Sequence, residues 1–333
     1  MRKFALLLLA VVVSPINLRA QTPSTSPPSA LITMEGDHRA RKANRVRHAE
    51  RFDGSTADEQ ITNCLAAIPS GGTCDATGYG ATTQLLASQV TVGPEQTLLF
   101  DPSTVFQASY AALNAFNIRA NARLSGLHFD CGNQPGYSGT IFTFADNYGD
   151  GDNTTVENIR ITCSGVTTGT AALFSASGPS QSIAFVTTRN WRVFGLQNGH
   201  LLTASGNGWV NGNHFIDMEW SFTTTALHLT NNNGQLYANI CSSCDYQAGK
   251  TAWVFDGTSG PNDQASGNLW IGNIWDAVTP IAFTNTKAVR NLAIGFLNGT
   301  ISDPNSQNNW LDLSNGSATL PTLRIIGKLG SRP

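Results

Sequence analysis

Residues 156–163 read VENIRITC, an asparagine followed by alternating apolar and polar residues that end on a cysteine. LSGLHFDC, at 124–131, has the same shape 32 residues earlier. TRNWRVFG (188–195), NHFIDMEW (213–220), YANICSSC (237–244), NLWIGNIW (268–275), VRNLAIGF (289–296) and LPTLRIIG (320–327) follow at gaps of 21 to 32 residues. A second series alternates with the first: IFTF (141–144), AALF (171–174), GHLL (199–202), ALHL (226–229), AWVF (252–255), PIAF (280–283) and WLDL (310–313). Repetition at 20–50 residues marks a solenoid.

Because the repeats contain strands and no helices, they predict an all-β fold: a parallel β-helix of about eight to nine coils, stacked about 4.8 Å apart. Equivalent positions then form columns. Asn158, Asn190, Asn239 and Asn291 share the position before the strand, where asparagine tolerates a left-handed turn and its amides can stack. Thr140, Thr170, Asn198, Thr225, Thr251, Thr279 and Asn309 precede the second strand as another polar column. Cys131 and Cys163 fall at equivalent positions in adjacent coils, near enough to pair.

Of the 333 residues 41% are hydrophobic, enough for a large core, and only 13% are charged. The N-terminus carries Arg2 and Lys3, then an apolar run from Phe4 to Val13 that is too short to span a bilayer. It reads as a secretory signal over 1–20, with no membrane span after cleavage and a secreted or periplasmic product. Residues 21–54 read as a disordered linker with a basic segment, and 55–330 as the β-helix domain. Residues 52–333 hold 11 Lys/Arg against 19 Asp/Glu, which argues against nucleic acid as a partner. Export makes the cysteines candidates for disulfides, with Cys64 and Cys74 closing a short loop. Thr56 and Glu59 have capping-box spacing, and Ile61, Cys64, Leu65 and Ile68 line one face of a helix that would cap the first coil.

The helix leading into IPSGGTCDATGYG, followed by asparagine-marked strand repeats, resembles the right-handed parallel β-helix proteins of the pectin-lyase-like superfamily. That resemblance covers roughly residues 55–330. It implies a single-stranded right-handed β-helix that acts on or binds an extracellular, acidic polysaccharide, as a monomer. Polygalacturonase-like members place paired aspartates just before the second strand. Here those positions read Gly139-Thr140, Gly169-Thr170, Gln197-Asn198 and Thr224-Thr225, so a lyase is implied over a hydrolase if the chain is an enzyme. The rival reading is a non-catalytic surface module that binds glycan.

The outward strand positions carry the candidate chemistry. His128, Asp130, Arg160, Arg192, Asp217 and Glu219 are expected to form one contiguous patch. Arginine holds carboxylates bidentately, and β-elimination needs a base together with a group that neutralises the carboxylate. Asp217 and Glu219, alternate residues of one strand, should stand about 6–7 Å apart, at the lower edge of the inverting-glycosidase range. Cross-strand charge pairing that merely helps the coils stack is the simpler account. Trp209, Trp270 and Trp310 are expected at turn or outward positions where they can stack on sugars, and Trp191, Trp220, Trp253 and Trp275 in the core. His200 reads as a core histidine. Asp146, Asp150 and Asp152 in DNYGDGDN offer oxygen ligands suited to Ca²⁺, although Asp-Gly is also ordinary turn chemistry. Cys241 and Cys244 read as a local thiol pair.

Overall fold

A computed structural model describes residues 46–68, 70–145, 154–164, 167–258, 260, 264–304, 308–313 and 322–324. The expected signal segment, most of the linker and the acidic loop with Asp146, Asp150 and Asp152 lie outside them. The described chain is a parallel β-solenoid of about 9 turns with one short helix near its N-terminal end. No described helix is long and apolar enough to cross a membrane.

Three sheets wall the solenoid. The first contains the strands Thr155–Thr162, Thr187–Phe194, His214–Ser221, Ile240–Gln247 and Leu269–Trp275, all parallel. The first four are bent midway. Asn158, Asn190, Asp217 and Ser243 have φ between 54° and 57°, so the chain turns a corner there and continues as a second leg. In earlier coils the two legs are separate strands: Arg123–Ser125 pairs with the first leg of Thr155–Thr162, and His128–Asp130 with the second. The second sheet holds Thr140–Ala145, Thr170–Ala176, Asn198–Ser205, Thr225–Asn232 and Thr251–Gly257. The third holds five short strands, from Ser182–Ala184 to Ala288–Val289.

Inward residues of all three sheets merge into one core. In-register stacking puts like on like: Phe144 lies over Phe174 with ring centroids 4.4 Å apart, and Phe116 over Phe142 at 5.6 Å. Each such pair contributes about 0.5–1.5 kcal/mol beyond its buried area. Cys131 and Cys163 are bonded across successive coils, their Cα atoms 4.8 Å apart. Thr140, Thr170, Asn198, Thr225 and Thr251 align as expected, and the Asn198 amide donates to Thr170 Oγ1 at 3.3 Å.

Asn239 and Asn291 do not belong with Asn158 and Asn190. They sit in a separate, buried column at the corner before the first sheet: Asn213, Asn239, Asn268, Asn291 and Asn308. Each Nδ2 donates to the Oδ1 of the next asparagine at 2.9–3.0 Å and also to a backbone carbonyl. Each receiving Oδ1 accepts a backbone N–H as well, as from Asn239 N–H to Asn268 Oδ1 at 3.0 Å. The column ends where Asn308 donates through both its Nδ2 and its backbone N–H to the Asp303 carboxylate.

The N-terminal helix is Ala57–Ala67, with Ile61, Cys64, Leu65 and Ile68 buried and Cys64 bonded to Cys74. Glu59 reaches back to the Ser55 N–H at 2.6 Å, but the Thr56 side chain makes no capping bond, so only half of the expected box forms. Asp58 is the unforeseen anchor: buried, it accepts from the Ala87 N–H and from the Ser88 hydroxyl. Burial pushes its carboxyl up, but these hydrogen bonds outweigh that and hold it below the usual range.

Structure also starts earlier than the expected linker end at 54. Val46–His48 pairs in parallel with the strand Thr73–Ala76, and Ala49 is buried beneath it. At the other end, Trp310 and its strand Asn309–Asp312 join the first sheet and not the second, and Thr322–Arg324 runs antiparallel to that strand. These two copies therefore depart from the repeat, closing its final edge.

Candidate functional site

The second leg of the first sheet orients the candidate residues. Beyond the bend, Cα register aligns His128, Arg160, Arg192, Glu219, Asp245 and Asn273 in one outward column. Asp130, Thr162, Phe194, Ser221, Gln247 and Trp275 form the next. An open pocket of about 320 Å³ lies over these columns, with Arg160, Arg192, Glu219, Thr162, Phe194 and Ser221 in its lining. The expected patch of His128, Asp130, Arg160, Arg192 and Glu219 is therefore brought together on neighbouring rungs.

Asp217 is the exception. It occupies the left-handed bend in line with Asn190, while Glu219 takes the place beside Arg192 that Asp217 was expected to fill. The repeat in NHFIDMEW sits two residues later than the hydrophobic pattern suggests, a slip that preserves which residues face out.

Charge in the pocket is unevenly matched. Arg192 Nε lies 3.4 Å from Glu219 Oε2, an exposed pair worth little in stability. Arg160 stands between His128 and Arg192, with no carboxylate opposite it in its own column. Burial, reinforced by the Arg160 charge, holds the His128 imidazole below its ordinary range, against the opposing pull of Asp130 and a hydrogen bond to the Pro102 backbone. The surroundings of His128 thus favour its neutral form. Farther along, Asn273 donates to Asp245 at 3.0 Å.

The tryptophans sort differently from expectation. Trp270, expected outside, is fully buried, and Trp275, expected in the core, is 42% exposed. Earlier coils place a left-handed residue between Ser242-like and Cys244-like positions, whereas Ser242 pairs with Ile271 and Cys244 directly with Gly272. One residue is missing from that coil beyond Ile271, and a shift of one turns Trp275 to the other face, whereas Trp270, ahead of the gap, stacks inward on Cys241. Trp209 lies on the third sheet between Ser182 and Gln235, and Trp310 packs against the core, so neither joins the pocket. Trp191, Trp220 and Trp253 are core residues as expected, as is His200, ringed by Trp191, Phe215 and Trp220. Burial drives the His200 imidazole down to about 3. Cys241 and Cys244 form a disulfide. Among the described residues no cluster of three metal-binding side chains occurs.

Two features escaped the sequence reading. His228 on the second sheet lies 2.8 Å from Asp256 and 3.4 Å from the Asn198 carboxamide oxygen. Its 28-residue spacing from Asp256 matches the repeat and was the available signal. The other is Phe222, whose ring centroid lies 5.1 Å from that of Phe194 at the pocket edge.

No known protein family profile matches the chain, and no curated protein matches it. Among solved structures it overlays an iota-carrageenase of family GH82 from A. fortis at 12% identity and TM-score 0.35, covering 74% of this chain and 57% of that one. An iota-carrageenase complexed to iota-carrageenan fragments overlays at 11% identity and TM-score 0.31, with 74% and 56% covered. The A-module of Azotobacter vinelandii mannuronan C-5 epimerase AlgE6 overlays at 12% identity and TM-score 0.18, with 76% and 87% covered. The chain spans less than two thirds of the length of the carrageenase structures. At these TM-scores the overlays carry no weight for its activity.

Proposed function

We propose that this chain is an exported β-helix of the pectin-lyase-like kind that holds an acidic polysaccharide on the second leg of its first sheet. The observation that supports this reading is the stacking of Arg160 on Arg192 in an open pocket, with Glu219 against one of the two. Two guanidiniums one rung apart repel each other, and an anionic substituent shared between them relieves that repulsion while gaining charge-assisted hydrogen bonds. The three disulfides agree with an oxidising location.

In its catalytic form the proposal is β-elimination from a uronate. The arginines neutralise the carboxylate, His128 takes the proton from C5, the freed electron pair forms the C4=C5 double bond as the C4–oxygen bond breaks, and the departing oxygen takes a proton from water. With Asp217 in the bend and Glu219 against Arg192, the pocket lacks two free facing carboxylates, which weighs against hydrolysis. It equally favours the second reading, a module that binds without turnover.

A panel of uronate and sulfated polymers tests both. Wild type should bind at least one acidic polymer, and Arg160→Ala and Arg192→Ala should each weaken binding about tenfold, as loss of one charged hydrogen bond implies. Ultraviolet absorbance from an unsaturated product that vanishes in His128→Ala identifies the lyase; binding with no such product identifies the module. Binding undiminished in both arginine variants overturns the site.

A further inference from the structure

Phe222 is out of place stereochemically. Gly195, Phe222, Ala248 and Asp276 occupy the equivalent corner after the first sheet, each with φ between 52° and 80°. Glycine adopts this left-handed conformation freely, whereas for a bulky aromatic it is an outlier. Burial does not compensate: Phe222 is 59% exposed and Phe194 beneath it 40%. The other aromatic in this conformation, Phe185, differs, because its ring lies against the bare α-carbon of Gly212 and so has a packing role. Among the described residues the ring partner of Phe222 is the exposed Phe194, and that ring lines the arginine pocket. A strained, solvent-facing aromatic pair beside a site is an observation from which function is fairly inferred.

We propose that Phe194 and Phe222 form a stacking platform for the apolar face of a sugar ring whose anionic substituent is held by Arg160 and Arg192. The deduction rests on the polysaccharide reading above and sharpens it. The ligand is a pyranose with one face lined by C–H groups and a carboxylate or sulfate projecting from its edge, since Phe194 and the guanidiniums occupy adjacent columns of one sheet and Phe222 stands at the corner just beyond. A free anion would use only the arginines.

The test is affinity electrophoresis through polygalacturonate and through a sulfated galactan, at several salt concentrations, with melting temperature measured on the same samples. Phe222→Gly should weaken retardation at least fivefold while its Tm stays level or rises, because glycine relieves the left-handed strain. Its salt dependence should match wild type, whereas Arg160→Ala should weaken binding and flatten the salt dependence. Phe222→Tyr keeps a ring and should retain binding. If Phe222→Gly binds as wild type while Arg160→Ala does not, the platform falls and the arginine site stands. A Tm drop of several degrees in Phe222→Gly would also overturn the platform, marking Phe222 as structural. If wild type binds neither polymer, both readings fall.

Discussion

Two columns of asparagine run up this solenoid, and they do different work. Asn158 and Asn190 sit exposed at the bend of the first sheet, joined by one side-chain bond of 2.8 Å, and the column then lapses into Asp217 and Ser243. Asn213, Asn239, Asn268, Asn291 and Asn308 are buried and continue without interruption, each amide bonded on both sides. At the bend the requirement is a backbone that accepts positive φ, which asparagine, aspartate and serine meet in turn. At the buried corner the requirement is a side chain with two donors and a carbonyl at fixed geometry, which only an amide meets. Burial turns a conformational preference into a chemical one.

Breaking the buried column should have the largest effect. Asn268→Ala leaves the Asn239 backbone N–H without its acceptor and takes from the Leu236 carbonyl its bond to Asn268 Nδ2, at about 1–3 kcal/mol for each orphaned group, while the Asn291 carboxamide oxygen keeps the residue 268 backbone N–H. An unfolding free energy lowered by about 2 kcal/mol or more is expected from denaturant titration; a change below about 0.5 kcal/mol would contradict the account.

His200 sharpens the contrast, being buried like the column but poorly bonded. Its Nε2 lies 3.5 Å from Thr188, and its Nδ1 has no partner among the described residues. Its folded pKa, near 3, lies below the unfolded value of about 6.5, so protonation favours the unfolded chain. Stability should fall as pH drops below about 6.5, by up to about 1.4 kcal/mol per unit, and level off below the folded pKa. His200→Gln should lose that slope. Parallel stability–pH curves for wild type and variant would refute the assignment.

The exposed column should yield the smallest change. Asn190→Gly gives up one solvent-exposed bond but keeps the left-handed bend, and should alter stability by less than about 0.5 kcal/mol. A loss near that of Asn268→Ala would erase the distinction between the columns.

That distinction also explains how much was legible in the sequence. The fold, the two long strand series and the Cys131–Cys163 bond followed from the spacing, because a repeat with fixed inward positions has one economical way to stack. The exact frame did not follow. Asn239 and Asn291 satisfy the pattern set by Asn158 and Asn190 although they occupy another corner, so coils from residue 213 onward were read two or four residues out of step. Beyond the bend an even slip leaves the outward face outward, which is why Glu219 survived as a site residue while Asp217 moved to the bend. The odd slip at Gly272 did not forgive, and it turned Trp275 outward, while Trp270 went inward because it lies ahead of the bend, on Cys241. Phe222 was invisible for another reason: its significance lies in a backbone angle, not in a residue pattern.

The buried amides also have a direction. Every Nδ2 points toward the C-terminal end, and the last one meets the Asp303 carboxylate, an acceptor with no donor to pass on. The column is thus a polar wire with a built-in terminator, much as a helix is closed at its positive end by an acid. Since each link is chemically identical, whole turns can be duplicated or excised between any two of these asparagines and the remaining links will rejoin. A fraction of a turn cannot, because it would carry the next asparagine off the corner and leave an Nδ2 without its acceptor. Length in this protein is therefore counted in complete revolutions, and the terminator decides where counting stops.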